Sequence, residues 1–281
     1  MSQKSYDGKN ALYLIPTPIG NMDDITFRTI ETLKKVDVIF SEDTRVTSQL
    51  LQHFQIQKKL IASHQFNEEE NIAKLLSYLE KGMDVGLVTD RGTPVISDPG
   101  YILAKGAIEK GYHVIALPGP TALIPALIVS GIEPQPFLFY GFLNHKEAKK
   151  KKELEELKGI KATLIFYEAP HRIVKTLESM KTILGNRKIS ISREITKKFE
   201  EIYRGTIEEV LEKIQDAKGE MVIIVEGNKE KNTFENLSII EHVHLYIKEG
   251  FSANEAIKKV AKERGQVKSE VYKIYHEGGA K

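Results

Sequence analysis

The feature that most constrains this chain is a pattern that recurs along it. A short apolar run rich in β-branched or aromatic residues ends abruptly in a cluster of Gly, Pro, Asp, Glu or Thr. Such runs read as buried strands and the clusters as loops at their ends. In the first half the runs are Leu12–Ile15, Val36–Phe40, Val85–Val88 and Val114–Leu117; in the second they are Phe137–Tyr140, Leu164–Tyr167, Ile189–Ser192 and Met221–Val225. Amphipathic segments such as Phe27–Lys35, Glu69–Lys81 and Ile102–Lys110 separate the first four, a spacing suited to right-handed β-α-β crossovers and hence to a mostly parallel sheet.

Pro118-Gly-Pro120 turns the chain into a buried helix that opens the second half. There Phe199–Ile207 reads as an extra strand or hairpin before a helix over Glu208–Gln215, so the second sheet is expected to be mixed. A polar linker, Lys229–Thr233, leads to helices over Ser238–Lys248, Ser252–Arg264 and Lys268–His276, the second capped by Ser252 with Glu255 three residues on. The expected fold class is therefore α/β: two α/β domains over residues 1–118 and 119–228, then a small helical module over 229–281.

Composition excludes more than it selects. With no cysteine, disulfides, thiolate metal sites and cysteine nucleophiles are all removed, and stability rests on packing. Met1–Asn10 is polar and lacks the apolar core of a signal peptide, so a cytoplasmic protein is expected. Val114–Ile132 carries no charge, yet Pro118, Gly119, Pro120, Pro125 and Gly131 interrupt it, and no membrane span is expected. The net charge of +2 is too small to announce a nucleic-acid partner. Lys146–Lys158, with the run Lys149-Lys150-Lys151-Lys152, is a local basic patch that fits either a solvated helix face or an RNA surface. His242 and His244, two apart on a helix, point to different faces and form no metal pair. No dinucleotide fingerprint, P-loop, zinc-protease motif or nucleophile elbow is present.

What is present is an ordered set of strand-end motifs. They are Pro16-Thr-Pro-Ile-Gly-Asn21, Ser41-Glu-Asp-Thr-Arg45, Thr89-Asp-Arg-Gly-Thr-Pro-Val-Ile-Ser-Asp-Pro-Gly100, Leu117-Pro-Gly-Pro-Thr-Ala122, Phe166-Tyr-Glu-Ala-Pro-His-Arg-Ile173, Arg193-Glu-Ile-Thr-Lys197 with Phe199-Glu200-Glu201, and Lys218-Gly-Glu220. In this order and spacing they resemble the tetrapyrrole-methylase superfamily, and within it the enzymes that methylate the 2'-hydroxyl of a cytidine in 16S ribosomal RNA. Arg91 departs from the pattern, since the superfamily usually has a small residue before Gly-Thr-Pro.

The resemblance implies S-adenosylmethionine bound between the two domains, no metal, a homodimer, and 16S ribosomal RNA or the small ribosomal subunit as partner. Gly92, Thr93 and Pro94, with Asp90 and Ile96 in the same loop, and Thr121 with Ala122 offer backbone groups and a hydroxyl to the donor. Pro18 and Gly20 let the backbone approach, Tyr167 packs on an apolar portion, and Gly219 and Glu220 bring in the second domain.

Methyl transfer to a ribose hydroxyl needs in-line positioning and a group to orient the hydroxyl or accept its proton. The candidates are Glu42, Asp43, Asp98, Glu168 and His171, although Asp43 with Arg45 and Glu168 with Arg172 fit salt-bridged loop anchors equally well. Arg45, Arg172, Arg193, Lys197, Lys149 and Lys150 are the expected contacts to RNA phosphates. Two other readings stand beside this one: a methyltransferase of the same fold acting on a small tetrapyrrole, and a non-catalytic RNA-binding assembly factor.

Overall fold

A computed structural model describes residues 2–5, 7–64, 68–215, 218–229 and 237–278; residues 230–233 of the expected linker lie outside them. The chain forms two compact units, Met1–Gly227 and Asn228–Lys281.

The first unit is built on two sheets of five strands. In the first sheet β1 (Ala11–Leu14), β2 (Val38–Ser41), β3 (Lys59–Ala62), β4 (Val85–Val88) and β5 (His113–Ala116) lie parallel in the order β3-β2-β4-β1-β5. The crossovers carry α1 (Phe27–Lys35), α2 (Thr44–His53), α3 (Glu68–Glu80) and α4 (Tyr101–Glu109). A parallel sheet is covered on both faces, and the core accordingly divides in two. Ile15, Leu33, Val36, Ile39 and Ile115 pack on one side, and Leu12, Phe40, Leu75, Leu87 and Leu103 on the other.

Helix α2 and strand β3 are additions to the sequence expectation. The strand is an edge strand with only Leu60 and Ile61 as apolar anchors, none of its residues fully buried, so its apolar run is too short to read.

Because β4 inserts between β2 and β1, the loop after β4 lies beside the loops after both neighbours. Thr17 and Gly92 exchange backbone hydrogen bonds of 2.9 and 3.0 Å across one gap. Across the other, the Thr89 hydroxyl donates to Glu42 Oε2 at 2.7 Å. The polar motifs therefore converge on the carboxyl edge of the sheet, where open α/β sheets bind ligands.

The second sheet follows α5 (Leu123–Val129). It comprises β6 (Phe137–Phe142), β7 (Thr163–Glu168), β8 (Lys188–Arg193), β9 (Glu201–Thr206) and β10 (Met221–Val225), in the order β6-β7-β10-β8-β9. Only the β6/β7 pair is parallel, so the sheet is mixed, as its irregular spacing suggests. Central β10 is buried throughout; Ile223 and Val225 face the cluster of Phe166, Leu177 and Met180, and Val222 and Ile224 face Ala126 and Leu127.

Helices α6 (Glu147–Leu157), α7 (Ile173–Leu184) and α8 (Ile207–Leu211) complete the unit, the last stopping short of the expected Gln215. The helix expected to be buried, α5, is buried only along Ala126 and Leu127; Ile124, Ile128 and Val129 are exposed, with Ile128 at 70%. Seven residues resting on one sheet face can bury only one stripe.

In the second unit α9 (Ile239–Lys248), α10 (Ala253–Glu263) and α11 (Lys268–Gly278) surround Val243, Ile257, Val260 and Val271. Ser252 and Glu255 form the expected capping box, and Ser238 forms a second with Glu241. His242 is buried and His244 exposed, on different faces. Among the described residues no helix is long and apolar enough to cross a membrane.

Candidate active site

The motif loops of the first unit enclose a cavity of about 570 Å³, within the range of small-molecule sites. Of the residues expected around a donor, Asp90, Gly92, Thr93, Ile96, Thr121, Ala122, Tyr167 and Glu220 line it; of the expected proton acceptors Glu42, Asp98 and Glu168 do, and so does Lys197. Residues the sequence reading missed include Ile19, Val46, Arg91, Ser97 and Phe142 from the first-sheet loops and β6, and Ser192, Glu194, Ile195, Met221 and Val222 from the second sheet. Ser192 and Met221 sit at strand ends, a signal available from the apolar runs; Phe142 lies beyond the run read as Phe137–Tyr140.

Pro18, Gly20, Pro94 and Gly219 do not line the cavity, and the structure gives each glycine another reason. A Cβ on Gly20 would sit 2.5 Å from Lys197 Cγ, and one on Gly219, whose φ is +91°, would strike the Glu194 side chain. These glycines make room for the two residues whose ion pair, Lys197 Nζ to Glu194 Oε1 at 2.8 Å, forms part of the wall. Pro18 and Pro94 are buried beneath their loops.

The segment 92–100 is wound tightly: Gly92, Val95, Ser97 and Gly100 all have positive φ, from 66° to 121°. For a β-branched residue such as Val95 this is a strained conformation, of the kind that concentrates at ligand sites. It turns the consecutive side chains of Ile96, Ser97 and Asp98 to the cavity.

Glu42, Asp90 and Asp98 give the cavity an acidic wall. Burial, reinforced by the charges of Glu42 and Asp90, pushes the Asp98 carboxyl up to about 7, with the neighbouring Thr89 hydroxyl acting in the opposite sense. Burial likewise raises Asp90, helped by Glu42. The three do not converge as metal ligands; among the described residues no group of three or more His, Cys, Asp or Glu could hold a metal ion.

The other proton-acceptor candidates are engaged elsewhere. Asp43 caps α2, accepting from Arg45 N at 2.8 Å and from its guanidinium at 2.6 Å; that pairing holds its carboxyl at about 2, too low for a useful base. Glu168 is buried and takes the Thr176 hydroxyl at 2.5 Å, the Ala169 amide at 2.8 Å and Arg172 Nε at 3.2 Å. Three donors thus engage it in anchoring the loop. His171 is exposed and lies off the cavity.

The expected phosphate contacts divide as well. Lys150 is only 3% exposed, paired with Glu147 at 3.1 Å beneath α6, so it presents nothing to RNA; Lys149 beside it is exposed. Arg172 also donates to the Leu143 carbonyl at 2.6 Å, and Arg193 is held by Glu201 and the Lys218 carbonyl. Both are structural ties in this geometry. Arg45 is exposed although paired with Asp43. Arg91, the departure from the superfamily pattern, pairs with Glu220 at 2.7 Å, joining a first-sheet loop to a second-sheet loop at the cavity. Glu220 also takes Lys197 at 3.2 Å.

Loops of two sheets share one cavity, and the chain carries no nucleotide fingerprint. The chain belongs to the Tetrapyrrole (Corrin/Porphyrin) Methylases, whose family model matches residues 11–211, and it is a methyltransferase. Within that family it is 48% identical to "Ribosomal RNA small subunit methyltransferase I" of Bacillus subtilis (strain 168), over 98% of each chain. It is 49% identical to the protein of the same name from Halalkalibacterium halodurans, over 98% of this chain and 99% of that one. Among solved structures the fold is similar to that of the methyltransferase CobJ, with a TM-score of 0.60 at 17% identity over 80% of this chain and 97% of that one. A uroporphyrin-III C-methyltransferase from Thermus thermophilus gives 0.55 at 19% identity, over 77% and 97%.

Proposed function

We propose that the chain transfers a methyl group from S-adenosylmethionine to the ribose 2'-hydroxyl of a cytidine in the 16S RNA of the small ribosomal subunit. The observation that carries this reading is the acidic cavity of about 570 Å³ into which the motif loops open, in a chain nearly half identical over its length to ribosomal RNA small subunit methyltransferases. The lining suits this donor. Its carboxylates attract a cation, Ile19 and Ile96 offer apolar surface, and Gly92, Thr121 and Ala122 bring backbone groups and a hydroxyl.

When bound, the donor supplies an electrophilic methyl carbon on a positively charged sulfur. Asp90, Gly92, Thr93, Ile96, Thr121, Ala122, Tyr167 and Glu220 would hold it. Asp98 accepts the hydroxyl proton. It lines the cavity and titrates near neutrality, where a general base works best, whereas Asp43 and Glu168 are committed to anchoring. Glu42 keeps Asp98 in that range by its charge and is itself oriented by the Thr89 hydroxyl. Arg45 and Lys149, both exposed, face the RNA backbone, while Lys197 stays in the cavity wall, paired with Glu194 and Glu220. The exposed apolar stripe Ile124, Ile128 and Val129 suits the interface of a homodimer, and the absence of cysteine suits the cytoplasm.

The test is incubation of the protein and methyl-labelled donor with small subunits, free 16S RNA and uroporphyrinogen. Label is expected on a cytidine ribose after nuclease digestion. Label in the porphyrin alone, or on a base, overturns the reading.

A further inference from the structure

Strand β6 contains a bulge, and its consequence is a half-exposed aromatic ring in the cavity. The register with β7 runs Phe137↔Thr163, Leu138↔Leu164 and Phe139↔Ile165, then skips a residue to Gly141↔Phe166 and Phe142↔Tyr167. Side chains alternate between faces along a regular strand, so Phe139 and Phe142, three apart, belong on opposite faces. The extra residue reverses that parity. The ring contacts record it: Phe139 and Phe142 both pack edge-on against Tyr167, at 4.9 and 5.6 Å between centroids, while Tyr140 meets Phe166 on the other face. Gly141 permits the turn with φ +83°, and a Cβ there would press on Ser97 Oγ at 3.2 Å.

The ring so placed lines the cavity and is 53% exposed. Val46 and Ile96 are also exposed and also line the cavity. The cavity thus combines an apolar surface open to solvent with a wall carrying Glu42, Asp90 and Asp98. Those carboxylates repel a phosphate, and the cations of the same lining, Arg91 and Lys197, are paired with Glu220 and Glu194, so a nucleotide that approaches the acidic wall leads with its sugar and base.

We infer that Phe142 is a positioning residue on which the base of the acceptor nucleotide stacks, unpaired and drawn out of its neighbours, so that its ribose reaches the acidic wall. The inference rests on the RNA methyltransferase reading and names how that substrate is held. A base presents a π-face of the right shape, and stacking on an aromatic ring is a general device for holding unpaired bases. Tyr167 supports the ring from one side. Its own hydroxyl is tied to Thr121 and to the Leu123 backbone, so the platform is formed before substrate arrives.

The donor's adenine has the same chemistry, and the experiment separates the two. Affinities for S-adenosylmethionine and for small subunits are measured by calorimetry and filter binding for the wild type and for Phe142→Ala, Phe142→Leu and Phe142→Tyr. Stacking on one base predicts about a tenfold loss of subunit affinity in F142A and F142L, recovery in F142Y, and donor affinity within about twofold throughout. Retained donor binding also shows that the variants are folded. The inference is overturned if F142L binds subunits as the wild type does, or if F142A loses donor affinity instead. If the wild type itself transfers no label to RNA, the functional reading fails and this one with it. If the wild type labels RNA and the variants bind it equally well, only the stacking role fails.

Discussion

Replacing Arg172 with Met separates a phosphate contact from a structural tie, because the two roles predict opposite losses. In the structure Arg172 reaches Glu168 Oε1 at 3.2 Å and the Leu143 carbonyl at 2.6 Å, and the Glu168 side chain is 1% exposed. Without the guanidinium, that carboxylate keeps only the Thr176 hydroxyl and the Ala169 amide. Stranding one member of a buried pair costs about 3–5 kcal/mol; the partly exposed position of Arg172 places this case near the lower end, at about 3 kcal/mol. For a unit of this size each kcal/mol moves Tm by about 2–4 °C, so R172M is expected to melt about 6–12 °C lower. Most of that loss should return in R172M/E168L, which removes both charges. Calorimetric melting and the salt dependence of RNA binding are the assays. A variant whose Tm is unchanged while its RNA affinity falls and its salt slope shrinks would refute the structural assignment and restore Arg172 as a phosphate ligand. For Glu168, an E168Q variant that melts normally yet transfers no methyl would make it a reacting group.

Four further outcomes follow from the same geometry. Asp98 is raised from its ordinary 3.8 to about 7, so the folded chain holds a proton that the unfolded chain releases; its contribution to stability falls as pH rises between those values and levels off above, and D98N removes that contribution from the pH dependence of melting. If the cationic donor favours ionised Asp98, its affinity rises about tenfold between about pH 6 and about pH 8, and calorimetry on D98N should give a flat profile. Lys150→Ala is expected to lower Tm without altering the salt slope of RNA binding, whereas Lys149→Ala reduces the slope and leaves Tm in place; the reverse pattern would contradict the burial of Lys150. Gly219→Ala meets both a φ of +91° and the Glu194 side chain, and is expected to cost at least about 1 kcal/mol by urea titration.

Much of this was legible in the chain because strand ends and loop chemistry coincide. Wherever an apolar run stopped at a polar cluster, the structure has a strand carboxyl end, and most of those clusters meet at one cavity. Lys150 was misread although its signal was present: Lys150, Leu154 and Leu157 fall at i, i+4 and i+7, one face of α6, and all three are buried. The run of four lysines obscured that periodicity. Glu168 and Arg172 stand four apart, a spacing that fits an anchor as well as a site, and only distances decide between them. Phe142 could not be read at all. Its orientation depends on one extra residue in β6, and nothing in Phe-Leu-Phe-Tyr-Gly-Phe fixes where the register slips except that Gly141 tolerates the positive φ.

The charges of the cavity bear on when the proton moves. Carboxylates beside a sulfonium favour the ground state, and uniform attraction of that kind lowers no barrier. Asp98 escapes this limit because its protonation responds to its surroundings. Beside a cation it is held ionised and ready to accept. Once that positive charge is gone, burial first, and then the charges of Glu42 and Asp90, favour the protonated carboxyl. On the proposed reading that is the moment at which the ribose hydroxyl must lose its proton. The same change would weaken the hold of the acidic wall on the spent donor, whose sulfur is then neutral. On that reading Glu42 and Asp90 would contribute without touching the reacting atoms, and neutralising either should lower the pH at which Asp98 titrates; a pH–rate profile of E42Q that matched the wild type would exclude this coupling.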